Sequence, residues 1–119
     1  MIERIEVFNR DDLICIMFVD NLSKTIEIQN QVAPEGLLLY LLPFGGNLHP
    51  TWQEYKEYLS ERCFESSRPD KVEMLKSLGV PYYDPALIVR ATHGVMNDDY
   101  VWLRFPGETL TFKDVQVRP

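Results

Sequence analysis

Seven consecutive apolar residues, "LICIMFV" at 13–19, constrain this chain more than any other stretch. The run is rich in β-branched and aromatic side chains and offers no polar face to water, so it predicts a central strand covered on both sides. Its neighbours carry the complementary signature. "IERIEVF" puts Ile5 and Val7 on one face with Glu6 opposite, and "TIEIQ" sends Ile26 and Ile28 inward. That two-residue period belongs to half-buried strands. "RDD" at 10–12 and "DNLSK" at 20–24 supply the turns. The expectation is a β-meander with its buried strand in the middle.

Three helices are then predicted from their ends. Thr51 and Glu54 form a capping-box pattern before "WQEYKEYLSERC", on which Trp52, Tyr55, Leu59 and Cys63 make one apolar stripe. Ser67 and Asp70 repeat the pattern with Pro69 in the first turn. Val72, Leu75 and Leu78 are expected to line that second helix, and Gly79 can take the left-handed position at its end. Asp84 and Pro85 open the third helix, "PALIVRATH", ended by Gly94, with Leu87, Ile88 and Ala91 as the expected buried side. "YVWLRF" returns to strand pattern, sending Val101, Leu103 and Phe105 one way and Tyr100, Trp102 and Arg104 the other, and "LTFKDV" alternates weakly. Residues 37–42, "LLLYLL", fit a strand or a short buried helix equally, and "PFGGN" reads as a loop. The predicted fold is one α+β domain over residues 1–119: an N-terminal antiparallel meander, three short central helices on one face, and a C-terminal strand rejoining the sheet.

Composition narrows the function. The chain is 45% apolar and 25% charged, ordinary for a globular domain. No apolar run approaches the roughly 18–20 residues of a membrane span. The start, "MIERIEVFNR", mixes charge with apolar residues, unlike a signal peptide. Cys15 and Cys63 lie in no local motif, which points to buried free thiols and a reducing cytoplasm. The net charge of −6 argues against direct nucleic-acid binding, which needs phosphate neutralisation. Residues 1–50 carry seven acids and three bases (3 − 7 = −4), so a basic partner protein would prefer that half.

Catalytic and metal motifs are weak. "PFGGN" lacks the lysine of a phosphate loop, and no G-x-G-x-x-G occurs. Cys15, His49, Cys63 and His93 include zinc-ligand types but no close pair. His93 with Asp98 or Asp99, and Cys63 or Ser67 as nucleophile, lack diagnostic spacing. The expectation is no enzyme, no cofactor and no metal. Arg62 and Arg68 flank a helix break, either as an anion site or as a structural salt-bridge network in which Arg62 meets the last carbonyls of its own helix and Arg68 pairs with Glu65, Asp70 or Asp84, with Arg90 joining it. The fourteen aromatics (2 Trp, 6 Tyr, 6 Phe) exceed what one small core needs. Tyr58, Tyr82, Tyr83, Tyr100 and Trp102 fall at helix flanks, loops or the less apolar strand face, where Tyr and Trp serve as interface anchors. With Arg62, Arg68, Asp98 and Asp99 they make up the candidate partner-binding residues.

The segment "SERCFESSRPDKVEMLKSLGVPYYDPALIVRATHGVMNDDYVWLRF" resembles a module of uncharacterised bacterial and phage proteins, and the region ahead of the catalytic domain in some HipA-like kinases. The shared pattern falls on Arg62, Arg68, Leu78–Gly79, Gly94, Asp99, Tyr100 and Trp102. Glu65 stands where a proline is common, and Val101 separates Tyr100 from Trp102. The resemblance carries no catalytic residues. It implies an accessory module of mobile-element or toxin–antitoxin type; with the missing catalytic motifs, the acidic N-terminal half and the surplus aromatics, the first expectation is a non-catalytic protein-binding module that regulates a partner. A phage inhibitor that occupies a basic nucleic-acid-binding surface, of anti-CRISPR or antirestriction kind, is the second expectation, and a small metalloprotein or enzyme the third.

Overall fold

The apolar run does lie inside the sheet. A computed structural model describes residues 2–30 and 41–115. Strands β1 (Ile2–Asn9), β2 (Asp12–Asp20), β3 (Thr25–Asn30) and β4 (Val101–Arg104) form one antiparallel sheet in the order β3-β2-β1-β4. Pairings of Met17 with Ile5 and Ile28, and of Val7 with Cys15 and Leu103, run apolar rows across one face. A bulge falls where Val7 opposes Cys15 but Phe8 opposes Leu13. The extra residue, Ile14, is thereby turned into the core beside Cys15 instead of alternating away from it.

The helices cover that face. Helix α1 (Trp52–Glu61) starts at a complete capping box: the Glu54 amide donates to Thr51 Oγ1 at 3.1 Å, and the Thr51 amide to Glu54 Oε1 at 3.0 Å. Tyr55, Leu59 and Cys63 are buried along its stripe, with Trp52 half-buried at the start. Thr51→Ala is expected to destabilise the fold by about 1 kcal/mol, since it strips the Glu54 amide of its acceptor. Chemical denaturation checks this.

Helix α2 (Lys71–Leu78) departs from expectation. Its N-cap is Asp70 with no side-chain cap bond, because Arg68 engages both Asp70 carboxylate oxygens at 2.7 and 3.0 Å. Ser67 and Pro69 therefore precede the helix. Leu75 is buried and Leu78 half-buried, but Val72 is 55% exposed, since this peripheral helix packs on α3 only through its later turn. Gly79 is left-handed at φ 73°, as its place in the sequence requires.

Helix α3 (Pro85–Thr92) begins as predicted, with Asp84 Oδ1 accepting from the Ala86 amide at 3.0 Å. Its buried face is rotated by one residue, about 100°. Ile88 and Val89 are fully enclosed, Leu87 is half-buried and Ala91 exposed. The i, i+3, i+4, i+7 row Pro85, Ile88, Val89, Thr92 meets the sheet and α1 because helix docking, not residue type alone, picks the face.

The outer edge of β4 is closed without a fifth strand. The Leu103 amide donates to the His93 carbonyl at 2.8 Å, and Arg62 Nη2 donates to the Val101 carbonyl at 2.7 Å. Such covering blocks edge-to-edge pairing with another chain. Gly94 turns the chain here at φ 67°, and a Cβ on it would stand 3.1 Å from Leu103 Cδ1. The "LTFKDV" segment is a helical turn, α4 (Phe112–Val115), and no strand. Thr111 and Asp114 bond reciprocally, amide to carboxylate at 2.8 Å and amide to carbonyl at 2.9 Å, a capping geometry that outcompetes weak alternation. The "LLLYLL" ambiguity concerns residues of which 37–40 lie outside the described ones; Leu42 is buried and leads into a 3₁₀ turn, Pro43–Gly46. Among the described residues no helix is long and apolar enough to cross a membrane.

Candidate functional site

Arg62 ends α1 with its guanidinium turned inward. Nε donates to the Gly94 carbonyl at 2.8 Å, Nη1 to Asp99 Oδ2 at 2.7 Å, and Nη2 to Asp99 Oδ1 at 2.9 Å and to the Val101 carbonyl. Only the planar five-donor fork of arginine fits four acceptors arranged this way. The side chains of Arg62 and Asp99 are 10% and 29% exposed. Burial alone would raise the Asp99 pKa, but the Arg62 hydrogen bonds and charge, with the Val101 amide, outweigh it and hold the carboxyl below its ordinary value. Arg62 is likewise held charged: burial disfavours the cation, and Asp99 more than compensates.

This clamp and the Arg68–Asp70 surface pair are separate. Both members of the latter are 47% exposed, and Arg62 and Arg68 hold different carboxylates, Asp99 and Asp70. Arg90 pairs with Glu3 and joins neither. Four expected partner-binding residues do converge, since Tyr58, Arg62, Asp98 and Asp99 line one hollow of about 440 Å³. Its central charges neutralise each other, leaving Asp98 exposed at the rim. Tyr58 is half-buried against Phe44, ring centroids 5.3 Å apart, and burial raises its phenol pKa.

The remaining aromatics divide. Tyr82 is 60% and Tyr100 45% exposed, the latter under Arg10 at 4.2 Å and edge-on to Phe112. Tyr83 is half-buried and donates its hydroxyl to the Phe64 carbonyl at 2.6 Å. Trp102 is no surface anchor. It is 1% exposed, stacked on Phe8 at 4.9 Å, with its indole N–H on the Arg10 carbonyl at 2.7 Å. Alternation placed it on the face away from the helices, but that face has its own apolar patch of Phe8, Ile16 and Trp102. Arg104 lies over Phe8 at 4.6 Å and bonds Glu6 and the Leu110 carbonyl above it.

Three of the residues considered for chemistry, Cys15, Cys63 and His93, are engaged in the fold. Cys15 is in the core, and burial pushes its thiol up to about 12. Cys63 is also pushed to about 12, first by burial and then by Asp84, and its Sγ lies 3.2 Å from the Leu59 carbonyl. A thiol so far above neutrality is protonated and a poor nucleophile. His93 Nε2 meets Glu108 Oε2 at 2.8 Å, away from the Asp98 and Asp99 pairing considered above. His49 and Ser67 are exposed. Among the described residues no group of three or more His, Cys, Asp or Glu is placed to hold a metal ion.

A second hollow, of about 320 Å³, lies between α1, α3 and the β1–β2 end of the sheet. Trp52, Tyr55, Leu59, Val89 and Phe105 wall it; Glu3, Lys56, Asp84 and Arg90 stand around it. Glu3 accepts from Asn21 Nδ2 at 3.0 Å and from Arg90, which also stacks over Phe105 at 4.6 Å. Tyr55 is 7% exposed, and its hydroxyl has no hydrogen-bond partner among the described residues. Burial, then the Glu3 charge, push that phenol up to about 12 against the opposing pull of Arg90. Sequence reasoning assigned Tyr55 to the helix stripe and missed this cleft. Glu3 and Arg90 are 87 positions apart, and nothing local couples them.

Comparison of the chain with family models, with curated proteins and with solved structures gives no match.

Proposed function

We propose that this chain is a non-catalytic binding module that docks on a partner protein in the cytoplasm, with the α1–α3 cleft as the anchor point. The observation that carries this reading is the aromatic-walled hollow of about 320 Å³ ringed by charge. A small apolar pocket with a polar rim receives the one or two anchoring side chains that dominate protein–protein affinity. Leu22, 87% exposed, follows the cleft-lining Asn21 in the chain. Tyr82, Arg68, Asp98 and Tyr100 remain accessible for peripheral contacts, whereas Arg62, Asp99 and Trp102 hold the scaffold together. The resemblance to the region ahead of HipA-like kinases supports a regulatory partner of toxin–antitoxin or mobile-element type.

Affinity capture with tagged protein and mass spectrometry tests this. Wild type is expected to retain a stoichiometric partner, and Ala86→Trp, which fills the cleft from an exposed helical position, to lose it while melting normally. No specific partner, or equal capture by both proteins, overturns the reading.

A further inference from the structure

The cleft holds a specific imbalance of hydrogen-bonding groups. Glu3 has both oxygens engaged, by Asn21 and Arg90, and Asp84 has one engaged by the Ala86 amide. Lys56 makes no ion pair among the described residues, and Arg90 uses one Nη of its fork on Glu3. Tyr55 is 7% exposed, and its hydroxyl has no partner among them. Buried polar groups are satisfied in more than about nine cases in ten, so an unpartnered phenol on a buried residue that lines the cleft marks a place for a ligand atom. Among the phenol and the four charged groups, the unused capacity is thus three donors, two of them cationic, against a single Asp84 oxygen. The walls around them are apolar.

We propose that the cleft captures the C-terminal residue of the partner chain. Its free carboxylate is bound by the Tyr55 hydroxyl with Lys56 and Arg90, its last N–H by the open Asp84 oxygen, and its apolar side chain by Trp52, Leu59 and Phe105. This rests on the docking reading above. Charge complementarity selects the occupant. An internal apolar peptide segment lacks the anion, and a simple fatty or aromatic acid lacks the N–H. Carboxylate capture at a chain end is a recurrent mode of peptide recognition.

The smallest probe is N-acetyl-phenylalanine, with N-acetyl-phenylalaninamide and phenylacetate as controls. Trp52 reports occupancy by fluorescence, because the only other tryptophan, Trp102, is 1% exposed on the opposite face of the sheet. Saturable binding of the acid is expected, with the amide and phenylacetate at least about tenfold weaker, a change of one decade in Kd. Tyr55→Phe should weaken the acid at least about fivefold while melting no lower than wild type, since it removes only an unpartnered hydroxyl. Lys56→Ala should reduce the salt dependence of binding, with Arg90 supplying what remains. Four results overturn the proposal: no binding at about 10 mM, where a 1 mM site is about nine-tenths full; equal affinity for acid and amide; equal affinity for phenylacetate, which would assign the cleft to free small acids; or a marked fall in melting temperature for Tyr55→Phe. Partner capture that survives the Tyr55→Phe, Lys56→Ala double variant but not Ala86→Trp overturns the terminus assignment and leaves the docking reading intact. Probe binding without any captured partner removes the docking reading and the chain terminus with it.

Discussion

Arg62→Ala is expected to destabilise the protein by about 3 kcal/mol at neutral pH, the low end for breaking a buried ion pair by removing one partner. The loss comes from what is left behind. Asp99, 29% exposed, keeps the Val101 amide at 3.1 Å but loses its counter-ion, while the Gly94 and Val101 carbonyls lose their donors. For a chain of this size the melting temperature should fall by about 10 °C. Arg62→Lys should recover only part of it, because one ammonium cannot span four acceptors on a planar fork. The pH dependence separates the ion pair from generic packing. The folded-state pKa of Asp99 is depressed, so its contribution is fully present above the unfolded value near 3.9 and disappears as pH falls through the folded value. Glu6 acts in the same direction through Arg104 and Arg4, which overcome the opposing effect of its burial. Urea midpoints of wild type should therefore drop steeply on acidification below about pH 4. Those of Arg62→Ala should start lower and drop less. Equal stability of the two proteins at pH 7 would show that the clamp is dispensable.

The second large effect is at Trp102. Truncation to alanine is expected to cost about 3–5 kcal/mol, the range for emptying a large buried aromatic site. Trp102→Phe should cost about 1–2 kcal/mol, because the ring still stacks on Phe8 but the Arg10 carbonyl loses its indole donor. A surface anchor would behave oppositely. Its removal would change stability by less than about 0.5 kcal/mol and act on partner binding instead. Denaturation of the two variants, with partner capture at equal folded fraction, distinguishes the roles. Undiminished stability of Trp102→Ala would mean that the second sheet face is open.

The same contrast explains why Trp102 was misjudged in sequence and Ile5 was not. Alternation states that Trp102 lies on the face opposite Val101 and Leu103, which is correct. It does not state whether that face is wet. Phe8, Ile16 and the Arg104 stem make it dry, and they come from three strands brought together by register. On α3 the caps Asp84 and Pro85 marked the start correctly, yet the buried side turned out one residue away because apolar side chains almost encircle that helix. On α2 the Ser67 pattern lost to the Arg68–Asp70 pair, a competition between two local bonds of similar strength.

The sequence by itself determined the α+β class, the meander with its enclosed second strand, the starts of α1 and α3, and the left-handed glycine after α2. Each rests on forces acting within one helical turn or one pleat: side-chain periodicity, a cap oxygen within reach of an amide, a φ that only glycine adopts cheaply. Tertiary structure alone decided that Arg62 finds Asp99, 37 positions away, that Glu3 finds Arg90, and that Tyr55 is buried with no hydrogen-bond partner for its hydroxyl among the described residues. Such contacts depend on which faces dock and in what register, and a charge or a hydroxyl carries no local mark of the partner that packing will bring to it or withhold.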